Sequence, residues 1–296
     1  VEAFLTALGW DTLTLDEQLT LFPTLRDDTL IPNMPPKPHY VRLVGRNDTI
    51  RQVIDDWKST HSPRIVCLSG LGGIGKTAVC YEIMRYAMQL HLFDGLLWES
   101  VKSEQFIGTE RAPQEALTDW HGVLISYALQ LNQKELISQP VSQIKRGLRQ
   151  ILESGRYLIV LDNLESFEAL KTVARELRDL IGEGKSRILI TSRERLVDMP
   201  AISDIQIEGL SYEDTCSLLF DEAKMRQANA LLNADKSLLT RVHQVTGGMP
   251  LAIQLIVTQF LLGIPLDHEL NRLIEVTDEQ ELYRFIYFAI WRKLPP

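Results

Sequence analysis

The stretch SGLGGIGKTAVC, residues 69 to 80, packs four glycines and a lysine between an apolar run and a helical pattern. Gly70, four further residues, then Gly75, Lys76 and Thr77 meet the spacing of a phosphate-binding loop. The physical demand behind that spacing is a bend whose successive backbone N–H groups converge on an anion, with the partial positive charge of a helix N-terminus behind them. A side chain on the inner curve would obstruct the anion, which explains Gly70, Gly72, Gly73 and Gly75 around Ile74. Lys76 is the group expected to reach β- and γ-phosphate oxygens, Thr77 the hydroxyl expected on Mg²⁺, and Ala78 the first small residue of the helix behind them. A glycine-rich turn with an exposed lysine is the alternative reading, and the flanking strand and helix weigh against it.

Outward from this loop the pattern alternates. RIVCLSG (64 to 70) reads as a strand and KTAVCYEIMRYAMQL (76 to 90) as an amphipathic helix, followed by strand-like GLLWESV (95 to 101). Helical segments near 117 to 131 and 141 to 153 lead to RYLIVLD (156 to 162), a helix near 166 to 180, and SRILITS (186 to 192). Short, nearly unbroken apolar strands separated by helices predict a parallel sheet covered on both faces, a three-layer α/β domain. ISDIQIEGL (202 to 210) reads as an edge strand.

Beyond it the pattern is helical throughout. Ser211 precedes one helix, Asp235 can cap a second, Gly247 and Gly248 end that one, and Pro250 opens LAIQLIVTQFLL. Residues 268 to 275 and 279 to 294 are helical in pattern as well. The expected organisation is a helical segment and proline-rich linker over 1 to 40, an α/β phosphate-loop domain over 41 to 208, a small all-α domain over 209 to 280, and the start of a further domain over 281 to 296. The linker rests on IPNMPPKPHYV (31 to 41), an extended run that cannot join a helix.

The chain has 296 residues, 45% hydrophobic and 24% charged, which is ordinary globular composition. Its net charge of −8 argues against a general nucleic-acid groove. Cys67, Cys80 and Cys216 are odd in number and widely spaced, so they suggest buried thiols in a reducing compartment and neither zinc nor disulfides. The start at Val1 hints at a trimmed segment, no signal peptide or membrane span is read, and a cytoplasmic protein is the expectation.

Three further positions carry chemistry. YLIVLDNLE ends an apolar strand in Asp162, placed to orient a metal-bound water, with a strand-end helix cap as the alternative. Asn163 follows it, and an amide cannot serve as general base, so hydrolysis is expected to be slow unless Glu165 substitutes; a solvated acid at a helix start is the other reading of Glu165. ILITSRER ends a strand with Arg193, whose forked guanidinium suits a γ-phosphate, against the reading of an exposed salt-bridge partner. His243, Trp98, Trp120 and the apolar residues of 251 to 262 read as core or surface. No Asn-Lys-x-Asp segment is present to read guanine.

Taken together, LVGR (43 to 46), GLGGIGKT (70 to 77), LIVLDN (158 to 163), ILITSR (188 to 193) and GGMPLA (247 to 252) resemble the NB-ARC branch of the STAND ATPases. The resemblance covers residues 41 to 294. It implies ATP and ADP as ligands with Mg²⁺, Val44, Gly45 and Arg46 near the adenine, Arg193 as γ-phosphate sensor and Pro250 against the base or sugar. It further implies a switch that is closed with ADP and oligomerises with ATP, an unidentified sensed ligand, and a winged-helix domain beginning near the end of the chain. Asn163 in place of a second acid, and Thr49 in place of a glutamate after Arg46, depart from the family pattern. An actively turning-over ATPase or phosphotransferase, and an interaction scaffold with a vestigial nucleotide site, are the alternatives.

Overall fold

The computed structural model describes residues 32–38, 40, 42–59, 63–100, 113–164, 167–196 and 202–263, with only the backbone of 113–119 and 167–169. The helical patterns expected over 1 to 30 and beyond 268, the start of a winged-helix domain, and Glu165 lie outside those residues.

Strand β1 (Ile65–Ser69) is buried at every position and feeds the glycine-rich bend, after which α2 (Lys76–Gln89) begins. The sheet order is β2 (Gly95–Ser100), β3 (Tyr157–Leu164), β4 (Arg187–Ser192), β1, β5 (Ile202–Gln206). All four pairings are parallel, and β5 is an edge strand as the sequence predicts. Alternation along the strands divides the interior into two cores. Val66, Leu68, Leu158, Val160 and Leu189 face one side, together with α1 (Asn47–Lys58) and α2. Ile65, Cys67, Ile159, Leu161, Ile188 and Ile190 face the other, which α3 (Pro113–Gln130), α4 (Val141–Ser154) and α5 (Phe167–Ile181) cover. Each such aliphatic side chain contributes about 1.5–3 kcal/mol on full burial, which is why β1, β3 and β4 need no polar face.

Helix α1 is absent from the sequence reading. Ile50, Val53, Ile54 and Trp57 form its buried stripe, and the edge of the Trp57 ring meets Phe93 at 5.4 Å between centroids.

After β5 come α6 (Tyr212–Met225), α7 (Lys236–Thr246) and α8 (Pro250–Leu261). Their caps are those legible in the sequence: the Ser211 hydroxyl accepts from the Asp214 N–H, the Asp235 carboxylate accepts from the Leu238 N–H, Gly247 ends α7 with φ 56°, and Pro250 occupies the first turn of α8. Buried residues of this lobe, among them Leu219, Val242, Ile253 and Val257, belong to the same continuous core as Val66 and Leu68 of β1. The lobe is therefore docked on the α1/α2 side of the sheet. Where the chain turns into it, a Cβ at Gly209 would overlap the Gly247 carbonyl oxygen and one at Gly248 would overlap the Leu210 backbone, while the Leu210 N–H donates to the Gly248 carbonyl at 2.8 Å. Two backbones cross there at a distance only glycine permits.

The proline-rich run joins no helix, as expected, but it is not extended throughout: residues 32 and 33 form a turn, with Asn33 at φ 62°, and the run is seated. Asn33 Nδ2 donates to the Leu96 carbonyl of edge strand β2 at 2.9 Å, and Tyr40 donates to Glu82 of α2 at 2.6 Å.

Candidate nucleotide site

The loop from Gly70 to Gly75 leaves the C-terminal end of β1 and returns into α2. That is where open parallel sheets collect ligands. Gly70 (φ 148°) and Gly75 (φ 100°) take backbone conformations that side chains avoid, and a Cβ on Gly70 would stand 2.6 Å from the Ile207 carbonyl oxygen. Here close backbone packing, as well as room for an anion, calls for glycine.

A cavity of about 310 Å³ opens over this bend. Its wall takes Gly72, Gly73, Ile74, Gly75, Lys76, Thr77 and Ala78 from the loop, Val44 and Arg46 from the segment before α1, Arg193 from the turn after β4, and Pro250 from α8. Gly45 and Gly70 stand behind that wall. Gly45 (φ 66°) lies against Asp214, whose Oδ2 would be 2.5 Å from an added Cβ. Arg46 is buried and donates to the Ile74 carbonyl at 3.2 Å and the Glu208 carbonyl at 2.7 Å, which ties the loop to the segment entering the helical lobe. Burial draws its guanidinium below the ordinary arginine range, and the Asp214 charge opposes that shift.

Lys76 is buried, its ammonium donating to the carbonyls of Gly70 and Leu71 at 2.8 Å each. The Thr77 hydroxyl lies 3.1 Å from both carboxylate oxygens of Asp162, and the Thr191 hydroxyl also donates to that carboxylate. Between Leu161 and Leu164 strand β3 accommodates an extra residue against β4, with Asn163 at φ 67°, a conformation asparagine tolerates better than most residues. The Asn163 N–H donates to Thr191 at 2.9 Å and its carboxamide donates to Ser100 at 3.1 Å, so Asn163 is held by both neighbouring strands. Burial raises the Asp162 pKa above the usual carboxylate range, against the lowering effect of its hydrogen bonds from Thr191 and Thr77 and of the Lys76 charge.

Arg193 is exposed on the turn after β4, and its guanidinium carbon Cζ and nitrogens Nε and Nη2 would lie 3.8–3.9 Å from a Cβ on Gly72. The structure places Lys76, Thr77, Asp162 and Arg193 around one bend. From the other side Pro250 comes within 3.9 Å of where a Cβ on Gly75 would stand, and the Leu251 N–H donates to the Gly73 carbonyl at 3.3 Å.

Several wall residues were not anticipated: Pro38 and Tyr40 of the linker, Arg42 just after it, Leu210, Leu218, and Gln254. Their adjacency to LVGR could have suggested Tyr40 and Arg42. The others reach the site only through the fold. A smaller cavity of about 70 Å³ lies between Pro35, Pro36 and Pro38 on one side and Thr77, Asp162 and Trp98 on the other.

Compared with known proteins, residues 46–229 match the model of the NB-ARC domain. The chain belongs to the NB-ARC domain family. Among curated relatives, this NB-ARC chain is 27% identical over 225 residues to the disease resistance protein RPP8 of Arabidopsis thaliana and 26% identical over 220 residues to the disease resistance RPP8-like protein 3 of the same plant. Each alignment takes in 72% of the chain and 22% of the relative, so the chain spans about a fifth of the length of the relatives it matches. A solved STAND ATPase with a tetratricopeptide repeat sensor from Pyrococcus horikoshii superposes with a TM-score of 0.52 at 16% identity, over 88% of this chain and 34% of that one. That likeness concerns the fold. No helix among the described residues is long and apolar enough to cross a membrane.

Proposed function

We propose that this NB-ARC chain is an adenine-nucleotide switch, in which bound ADP or ATP joins the α/β layer to the helical lobe and turnover is slow. The observation that carries the reading is the Leu251 N–H bond to the Gly73 carbonyl of the phosphate loop, with Pro250 beside Gly75 in the wall of the same cavity. A ligand in this bend touches both parts of the molecule at once, so a difference in its interactions between diphosphate and triphosphate forms can shift their relative arrangement.

The residues suit Mg²⁺-nucleotide. Bare backbone lines the loop, Lys76 stands at its base, and Thr77 with Asp162 offers the oxygen donors that Mg²⁺ takes beside phosphate oxygens. In this reading Lys76 and Arg193 hold the β- and γ-phosphates, Thr77 and Asp162 hold the metal, which when bound would neutralise phosphate charge, and Val44, Arg46 and Pro250 enclose the base and sugar. Asn163 has no proton-accepting group to activate water, and its carboxamide is engaged by Ser100. Glu165 remains the candidate base. Oligomerisation, a sensed ligand and a role in defence signalling are proposed for the longer protein on the strength of the family.

Chromatography of the nucleotide released on denaturing purified protein, followed by calorimetry with ADP and with ATP and Mg²⁺, tests this. Retained ADP, tight binding of both nucleotides, and a loss of about tenfold or more in affinity in Lys76→Ala are expected. Millimolar binding of both would reject the switch, and steady hydrolysis at about one per second or faster would mark an ordinary enzyme instead.

A further inference from the structure

Arg193 sits on an exposed turn, yet a sensor must hold its position relative to the phosphate loop to about an ångström. Besides the Glu194 N–H bond to the Ser192 hydroxyl at 3.0 Å, the far end of that turn is tied to one carboxylate. Asp204 of β5, whose side chain is 8% exposed, accepts from Arg195 Nε at 3.0 Å, from the Leu196 N–H at 3.4 Å, and from the Ser69 hydroxyl at 3.2 Å. Ser69 is the last residue of β1 before the loop, and the Gly70 N–H donates to the Ser192 carbonyl at 3.2 Å. Leu196 itself is buried in the core between the sheet and α3, α4 and α5. The turn from Arg193 to Leu196 is thus fastened at its far end, across β1, to the edge strand, and the strand crossed is the one that launches the phosphate loop.

We infer that Asp204 is a positioning residue for γ-phosphate sensing, fixing Arg193 over the loop through the Arg195 and Leu196 contacts. The inference rests on the proposed sensor role of Arg193. Asp204, like Arg195, is not part of the cavity wall. Its effect is therefore on the preference for triphosphate over diphosphate, which a general packing role would leave alone. Arg195 is half exposed, so its replacement removes the fastening without opening the core.

Calorimetry of ATP·Mg²⁺ and ADP binding in the full chain, with turnover blocked by using a non-hydrolysable triphosphate, separates the possibilities. Arg193→Ala is expected to lower the ratio of triphosphate to diphosphate affinity by about tenfold or more, as for loss of a charge-assisted hydrogen bond. Asp204→Ala and Arg195→Ala are each expected to lower the same ratio by about threefold to tenfold with diphosphate affinity unchanged, and Arg195→Lys to restore most of it. In the Arg193→Ala background the two substitutions should have no further effect on the ratio. An Arg193→Ala protein with an unaltered ratio sinks the sensor reading itself. A lowered ratio there, beside Asp204→Ala and Arg195→Ala proteins whose two affinities are unchanged or fall together, overturns the positioning role alone.

Discussion

The Asp162 carboxylate is 2% exposed and accepts from Thr77 and Thr191, yet burial outweighs those bonds and lifts its pKa. A carboxyl whose folded pKa exceeds its unfolded one binds its proton more tightly in the folded state. Its contribution to stability is then fully present below the unfolded value, about 3.9, and is lost as pH rises through the raised folded value. Two consequences follow for one substitution. Asp162→Asn keeps the shape without the charge, so the nucleotide-free protein is expected to be more stable than wild type at neutral pH, with a difference that shrinks as pH falls toward 4. In the proposed reading the same change also removes a metal-orienting oxygen, and the gain in nucleotide affinity on adding Mg²⁺ should fall by about tenfold or more. Thermal unfolding across pH and calorimetry with and without Mg²⁺ check the two halves. A variant less stable than wild type at neutral pH would mean that the hydrogen bonds, and not desolvation, dominate at Asp162.

Between single residues and the whole chain stand elements such as the seated linker. Tyr40 reaches Glu82, which is 7% exposed on α2 and also accepts from Arg85, itself 6% exposed. Burial and the Glu82 charge both push the Tyr40 phenol above its usual range, so the hydroxyl remains a donor throughout the working pH range. Tyr40→Phe withdraws that donor from a buried carboxylate and is expected to cost about 1–3 kcal/mol in urea unfolding, with the midpoint shifted and the slope unchanged. A change below a few tenths would show that Arg85 alone satisfies Glu82. That the proline run joins no helix was legible, because the constraint of its rings is local. Its seat was not, since nothing in PPKP announces that it will lie over Thr77, Asp162 and Trp98. The same division holds elsewhere. The loop, the apolar strand carrying Asp162 and the caps at Ser211 and Asp235 are set by short spacings and could be read directly, whereas the strand's continuation to Leu164 past Asp162 was not. Thr191 approaches Asp162, and Gly209 crosses Gly248, only after the sheet and lobe have formed. Helix α1 is a different case, since the spacing of Ile50, Val53, Ile54 and Trp57 carries the helical period and could have been read.

At the scale of the molecule, one core runs from the sheet face at Val66 and Leu68 through α2 to Ile253 and Val257 of the helical lobe. The nucleotide cavity lies over the same junction, with loop, linker and α8 in its wall. Continuous apolar burial predicts that the α/β layer and the lobe unfold together, and a ligand touching both should move that single transition as a unit. At ADP concentrations about 100 times the Kd, mass action adds about 2.7 kcal/mol, which for a chain of this size corresponds to a rise in Tm of about 4 °C. Scanning calorimetry with and without ADP should therefore give one peak, displaced whole, and in Lys76→Ala the displacement should fall by about half or more at the same ADP concentration. Two peaks, of which ADP moves only one, would place the ligand on the α/β layer alone. The Leu251 bond to the loop, and the place of Pro250 beside it, would then be packing without consequence for nucleotide binding, and the coupling on which a switch depends would be missing.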